Sequence, residues 1–372
     1  MKNDAVQLKT TNLTGLMKQI ICFLLLLFLV TMPLLAQGSD IDETAKRLPK
    51  GPSEEFFQPL VNAFGANLNT GWINNAPEAK FVELTVKVGV VGMGAFIDSE
   101  DGVFQLLDIV FPFREQDART LAAETPGFAG LSPQEQENIV QAIIGSEIMA
   151  DVNGPTIFGK DDASVIVNTK ATSVTANGQS VTVPASSIVL GDVRGILNDP
   201  GIFPSFAPQL SIGTVFGTQA TVRWLPNITI DGDVGDLSYF GFGIQHNPAI
   251  WFSNPLPVDL SFSFFTQHLE IGSGVLDVNT TAFGANVSKT FGNFLASVTP
   301  YAGFLIESST MKADYDYEIA PGLIVPIQFE LDGENSSRAT VGLGASLLGI
   351  NLFADYNFAK VNTVSLTVMY GF

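Results

Sequence analysis

The chain is poor in charge and nearly devoid of cysteine. Only 15% of its 372 residues are Asp, Glu, Lys or Arg, well below the roughly 25% of an ordinary soluble domain. Its single cysteine, Cys22, lies inside an N-terminal apolar run, so the rest of the chain offers no disulfide, no thiolate nucleophile and no cysteine metal site. Two histidines, His246 and His268, are too few for a histidine metal centre. No Gly-x-Ser-x-Gly elbow occurs, and no convincing Ser/His/Asp set can be assembled. These gaps lead us to expect no enzyme, no cofactor and no bound metal. Basic stripes are also missing. Residues 1–37 carry Lys2, Lys9 and Lys18 against Asp4, so of the total charge of −19 the remainder holds −21. Nucleic-acid phosphates would be repelled, and nucleic acid is excluded as a partner.

Long hydrophobic runs are absent too, with one exception. Met17-Lys18-Gln19 precedes an apolar run from Ile20 to Leu35, followed by Ala36-Gln37-Gly38. A short positive region, an apolar core and small residues at its end are the layout of a secretory signal peptide. We therefore read 1–37 as an export region, with Met17 as an alternative start. No later run reaches the roughly 18 apolar residues of a membrane helix.

What the chain does hold is alternation. The 46% of hydrophobic residues are scattered among Gly, Ser, Thr and Asn. Val82, Leu84, Val86, Val88 and Val90 share one face of an extended segment, with Glu83, Thr85, Lys87 and Gly89 on the other. Phe240, Phe242 and Ile244 alternate with Gly241, Gly243 and Gln245, and Leu260, Phe262 and Phe264 with Ser261 and Ser263. Period two with one apolar and one polar face is the pattern of a membrane β-strand. The last strand places Val364, Leu366, Val368, Tyr370 and Phe372 on one face. That stripe, ending on Tyr370 and Phe372, resembles the C-terminal signal read by the outer-membrane barrel-assembly machinery. The fold expected is all-β: a transmembrane antiparallel β-barrel of about 12–14 strands, closed because no backbone edge can face lipid.

The reading divides the chain into the export region 1–37, an N-terminal arm 38–60 and a barrel 61–372, with 61–72 as a first strand. Residues 114–206 interrupt the strand series. Ser132-Pro133-Gln134-Glu135 opens a helix with an apolar face at Ile139, Val140, Ile143 and Ile144. Asn177-Gly178 marks a hairpin. This mixed helical and hairpin insert is an external cap, a lumenal plug or a periplasmic unit. The acidic stretch from Asp314 to Glu334 reads as a long loop or a strand extension. Lys87 and Arg223 face the expected lumen, either as selectivity positions or as partners of lumenal carboxylates. Trp72, Trp224, Trp251 and Tyr239 are expected at membrane interfaces, where amphipathic rings are favoured. The two histidines are placed at strand ends, where they could approach at one rim.

Pro208-Gln209-Leu210-Ser211-Ile212-Gly213, Thr221-Val222-Arg223-Trp224-Leu225-Pro226, Gly241-Phe242-Gly243-Ile244-Gln245-His246-Asn247 and Leu256-Pro257-Val258-Asp259-Leu260 resemble an uncharacterised family of Bacteroidetes outer-membrane β-barrel proteins of the DUF6588 kind. The resemblance covers roughly 200–372, and more distantly it extends to hydrophobic-substrate transporters of the FadL type. It implies an outer-membrane location, contact with outer-membrane lipids, and passive, porin-like transport of small, apolar solutes. Gly38-Ser39-Asp40-Ile41-Asp42-Glu43 departs from the hatch start of the FadL group, so no N-terminal hatch in the lumen is expected. The alternatives are a structural or anchoring barrel, including one that partners a secretion system, and a barrel with hydrolase residues on its rim.

Overall fold

The computed structural model describes residues 48–371 apart from 199, 230–235, 255, 273–274, 294 and 321–322. The export region, Met17 and Phe372 lie outside the described residues.

The described chain opens with a helix, α1 (Lys50–Leu68), where an arm followed by a first strand was expected. Phe56, Phe57, Leu60, Val61, Phe64 and Leu68 recur at helical rather than alternating spacing, and all are buried. Pro59 sits inside the helix, a residue that normally breaks one. Burial on all sides outweighs that local cost.

Eighteen described strands follow. They are β1 (Val82–Phe96), β2 (Val103–Val110), β3 (Met149–Pro155), β4 (Ser164–Thr169), β5 (Thr172–Ala176), β6 (Gln179–Val183), β7 (Ser187–Arg194), β8 (Ile202–Val215), β9 (Thr218–Thr229), β10 (Asp236–His246), β11 (Asp259–Ile271), β12 (Leu276–Ser288), β13 (Phe291–Gly292), β14 (Ala296–Ala320), β15 (Leu323–Asp332), β16 (Ser337–Leu347), β17 (Ile350–Phe358) and β18 (Thr363–Gly371). Ten of them, β1, β8 to β12, β14 and β16 to β18, form one antiparallel barrel. β1 closes on β18 with Val88 opposite Tyr370, and β12 closes on β14 with Phe283 opposite Ile306. The barrel has ten strands instead of twelve to fourteen for three reasons. The 61–72 segment is helical, β2 belongs to another sheet, and β15 pairs only with the far half of β14. The acidic stretch is thus a strand extension: β14 and β15 continue as a hairpin beyond the barrel.

The pleat sorts the side chains. Leu84, Val86 and Val88 of β1, Phe240 and Phe242 of β10, Phe262 and Phe264 of β11, and Leu366 of β18 are exposed on the outside. Their neighbours in sequence point inward. Among the described residues no helix is long and apolar enough to cross a membrane.

The connection from β1 to β8 is an inserted unit that starts after Phe96 and ends before Ile202, not at 114 and 206. It contains the four-stranded sheet β2-β3-β4-β7, the hairpin β5–β6, α2 (Glu115–Glu124) and α3 (Pro133–Ile144). Ser132 and Glu135 form the expected capping box at α3. Asn177 and Gly178 take positive φ in the hairpin turn. Phe111, Phe113, Leu121, Ile139, Val140, Ile143 and Val167 make its core. It covers one rim of the barrel: Ile157 donates to the Phe56 carbonyl, and Phe158 packs on Phe203 at 5.5 Å. The insert therefore covers one rim and does not plug the lumen, which is filled by something else.

Candidate functional site

A ten-stranded barrel with polar inner faces should be wet inside. Yet Gln209, Thr221, Gln245, Ser263, Gln267, Asn286, Glu307, Asp355 and Thr367 are buried. What buries them is the N-terminal segment, which runs through the lumen from the cap rim to the opposite rim. Near the cap, Phe64 packs edge-on against Phe203 at 4.9 Å, and Asn67 Nδ2 donates to the Phe203 carbonyl at 2.8 Å. Midway, Trp72 stacks on Phe265 at 5.0 Å. At the far rim the Ala76 amide donates to Ser288 Oγ at 3.0 Å, and Asn247 Nδ2 donates to the Pro77 carbonyl at 2.8 Å. This segment is the lumenal hatch that residues 38–43 gave no reason to expect.

Wall and segment are shaped to each other. Gly241 and Gly243 lie under the Trp72 ring, where an added Cβ would come within 3.0 and 2.8 Å of it. Gly303 leaves room for Ile73 in the same way. Gly71 turns the chain at φ +69°, a conformation open to glycine at no steric cost.

Two buried arginines hold the segment at Thr70. Arg338 on β16 pairs with Glu307 on β14 (Nε to Oε2 2.7 Å), the two side chains 1% and 0% exposed. Arg338 also donates to the Ala66 carbonyl at 2.8 Å and to Thr70 Oγ1. Thr70 Oγ1 lies 2.6 Å from Thr363 Oγ1. Arg223 on β9 donates to Gln209 Oε1 and to the Thr70 carbonyl, both at 2.9 Å. Its guanidinium sits 3.9 Å over the Trp72 ring, a cation–π contact strengthened by desolvation. The second terminal nitrogen of Arg223 has no hydrogen-bond partner among the described residues. Around them most wall side chains bond to one another, although Asn286 Nδ2 has no partner among the described residues. Asp355 accepts from Tyr301, Ser365 and Asn357, and Tyr239 donates to Gln267 at 2.9 Å.

Above the barrel, α1 is held by the β14–β15 hairpin. Tyr315 donates to Ser53 Oγ at 2.6 Å, and Phe57 packs on Phe329. Burial pushes the Tyr315 phenol up to about 12, so it remains a donor throughout the neutral range.

Arg223 does face inward; its hydrogen-bond partners are neutral groups of the segment and wall, and the carboxylate acting on it is Asp355. Lys87 faces inward and is half-buried; the carboxylate acting on it is Glu78. Through β8, Lys87 pairs with Ser211 and Arg223 with Gln209, so the two cations stand about one inward layer apart. Tyr370 is part of the outward stripe, opposite Val88. Trp224 and Trp251 are exposed on the outside, whereas Trp72 and Tyr239 are buried in the lumen; placing those two at an interface was wrong. The histidines are kept apart: His246 stands at one end of β10 and His268 opposite Phe240 toward the other. Among the described residues no group of three or more His, Cys, Asp and Glu could hold a metal ion. Sequence reasoning missed Arg338, Glu307 and Thr70. The available signal was a charge at an inward position of an alternating strand.

The fold and its filled lumen define a class: a closed, internally plugged antiparallel β-barrel bearing a rim domain. Within it, the chain belongs to the family of unknown function DUF6588, which matches residues 17–372. No curated protein matches it. Among solved structures, Ail, the attachment invasion locus protein of Yersinia pestis, aligns at 16% identity over 42% of this chain and 93% of its own, with a TM-score of 0.20. A loop L8 deletion mutant of OmpT, an outer-membrane protein of Vibrio cholerae, aligns at 10% identity over 78% of this chain and 99% of its own, with a TM-score of 0.22. At these values the superpositions establish no shared architecture, and the barrel is defined by its own strand register.

Proposed function

We propose that this chain is an outer-membrane barrel whose lumen is sealed by its own residues 48–77 and which anchors the 97–201 cap at the membrane surface. The membrane assignment is supported by the outward apolar faces on a barrel without edges, an arrangement suited to lipid. The sealed lumen carries the functional part. The filling segment is bonded at both rims and clamped between them at Thr70. Withdrawing it would strip Arg338 and Arg223 of partners they hold in a dry interior, which is costly.

Passage of small solutes is the second reading, favoured by the polarity of the wall the segment covers. Movement of the segment would uncover Gln209, Gln245, Gln267 and Arg223. Under this reading the barrel is a gated transporter, not an open pore. Kinship with FadL-type transporters and a Bacteroidetes source are resemblances of the 200–372 stretches. No catalytic role is proposed, and a serine-directed covalent probe is expected to leave the folded protein unlabelled.

Conductance tests both readings. In a planar bilayer the intact chain is expected to stay electrically silent. Deletion of residues 48–77, or Arg223→Ala combined with Arg338→Ala, is expected to produce conducting steps. Steady conductance from the intact chain would falsify the sealed-lumen reading.

A further inference from the structure

The two rims of the barrel differ on their outer surfaces. On the cap side the outward stripes of β10, β11, β12 and β14 turn polar before the strand ends, whereas those of β1, β8 and β17 stay apolar as far as Phe96, Ile202 and Phe358. On β14 the outward positions from Ala296 to Ile306 include Val298, Phe304 and Ile306, and then give way to Ser308, Thr310 and Lys312. On β11, Phe262 and Phe264 give way to Thr266, His268 and Glu270. On β12, Val287 and Phe283 give way to Thr281, Asn279 and Asp277.

On the opposite rim no polar row intervenes. The stripes run straight into the turns, and two of the turns carry an apolar residue at the tip. Phe216, in the β8–β9 turn, is 50% exposed, and Leu348, in the β16–β17 turn, is 63% exposed. Both precede a glycine and both take positive φ, +50° and +51°. A tight turn at this conformation ordinarily carries Asn or Asp before Gly, because bulky side chains are disfavoured there. The Phe216 ring packs edge-on against Phe81, with centroids 6.0 Å apart, yet both tips keep half or more of their surface exposed. Phe81 and Trp251 continue the collar, packed edge-on with centroids 6.3 Å apart and both largely exposed. Of the charges at this rim, Lys80 pairs with Glu78 at 2.7 Å, Lys289 donates to the Pro257 carbonyl, and Asp259 at the start of β11 accepts from Asn247.

Strand length connects the two observations. A strand crosses the hydrocarbon core in roughly 9–11 residues. The outward run from Ala296 to Ile306 uses that whole span and begins at the turn itself. Hydrocarbon that covers Ile306 at one end therefore reaches the turns at the other. We propose that the turn tips of the uncapped rim, with Phe216 and Leu348 as anchors, are immersed in the lipid at the headgroup–acyl boundary and do not project into water. Lys80 and Lys289 reach out from this level to the headgroups in the manner of snorkelling side chains. The proposal rests on the membrane reading above and adds to it the depth at which the barrel sits and the lipid-contacting surface of one rim.

Nitroxide labels on the full chain test it. Single cysteines Phe216→Cys, Leu348→Cys, Val298→Cys and Lys312→Cys are made in a Cys22→Ser background and reconstituted in dioleoylphosphatidylcholine vesicles. Collision with molecular oxygen is compared with collision with a water-soluble nickel chelate. Labels at 216 and 348 are expected to behave like the label at 298, open to oxygen and with loss of nickel broadening, while the label at 312 is nickel-accessible. If 216 and 348 match 312 while 298 stays lipid-like, the tips project into water and the proposal fails with the membrane reading intact. If 298 is itself nickel-accessible, the membrane reading fails. Protection of 216 and 348 from both reagents means that a second copy of the chain covers the rim, which also overturns immersion in lipid.

Discussion

Thr70 is the point where three groups on different elements meet, and its energetics follow from burial. Arg338 and Glu307 are paired in a dry interior, where removing one partner strands a charge. Arg338→Met should therefore lower stability by about 3–5 kcal/mol, whereas Arg338→Met with Glu307→Leu should be far milder. Urea unfolding midpoints of the reconstituted barrel measure the difference. Packing around Trp72 makes a second case. The ring occupies space that Gly243 leaves empty, so Gly243→Val should cost about 1–3 kcal/mol by overpacking. Combining it with Trp72→Ala should cost less than the two single changes together, since the clash with the ring is relieved while that with Phe265, 2.6 Å from an added Cβ, stays; a double-mutant cycle reads that coupling. Additive effects would mean that the ring does not lie on the glycines.

Among the elements, α1 is the one whose identity depends most on its surroundings. Its polar neighbours and Pro59 argue against an independent helix. It persists because the β14–β15 hairpin and the cap surround it. The Tyr315 hydrogen bond to Ser53 gives this docking a pH dependence with a definite sign. The folded phenol is raised to about 12 from the ordinary value near 10. A raised folded value means that the contribution is complete below pH 10 and is lost as pH rises through 10 to 12. Stability of the helix–hairpin contact, followed by hydrogen exchange of the α1 amides, should fall over that window. Tyr315→Phe should flatten the response. In the cap, Ser132→Ala removes one half of the α3 capping box and should cost about 1 kcal/mol, visible as earlier thermal loss of helical signal with the barrel unaffected.

At the scale of the whole molecule, three layers share one axis: a cap at one rim, a segment through the lumen, and an apolar collar at the other rim. The seal and the cap are mechanically joined, since Ile157 of the cap donates to the Phe56 carbonyl of α1. Displacing the cap would therefore pull on the segment. Excising residues 97–201 and rejoining β1 to β8 should raise the frequency of conducting steps in a bilayer by loosening α1. A silent, folded, excised barrel would show that the lumenal contacts at Thr70 and Trp72 are sufficient for closure on their own.

The sequence alone determined the barrel. Alternation along β1, β10, β11 and β18 is a local property: the pleat sends successive side chains to opposite faces whatever the rest of the chain does. The α3 cap at Ser132 and the Asn177-Gly178 turn were legible for the same reason, since each acts over three or four residues. Strand number was less legible, because β2 alternates much as a barrel strand does and only its hydrogen-bond partner, β3, assigns it to the cap. The plug was decided by tertiary structure alone. Nothing within residues 48–77 states that a lumen surrounds them, and helix, Trp72 and Thr70 acquire their meaning from Arg223, Arg338, Phe265 and two glycines far along the chain. The inward side of Arg223 followed from period two. What that arginine holds depends on which segment fills the space in front of it, and that is set by closure of the barrel around the segment.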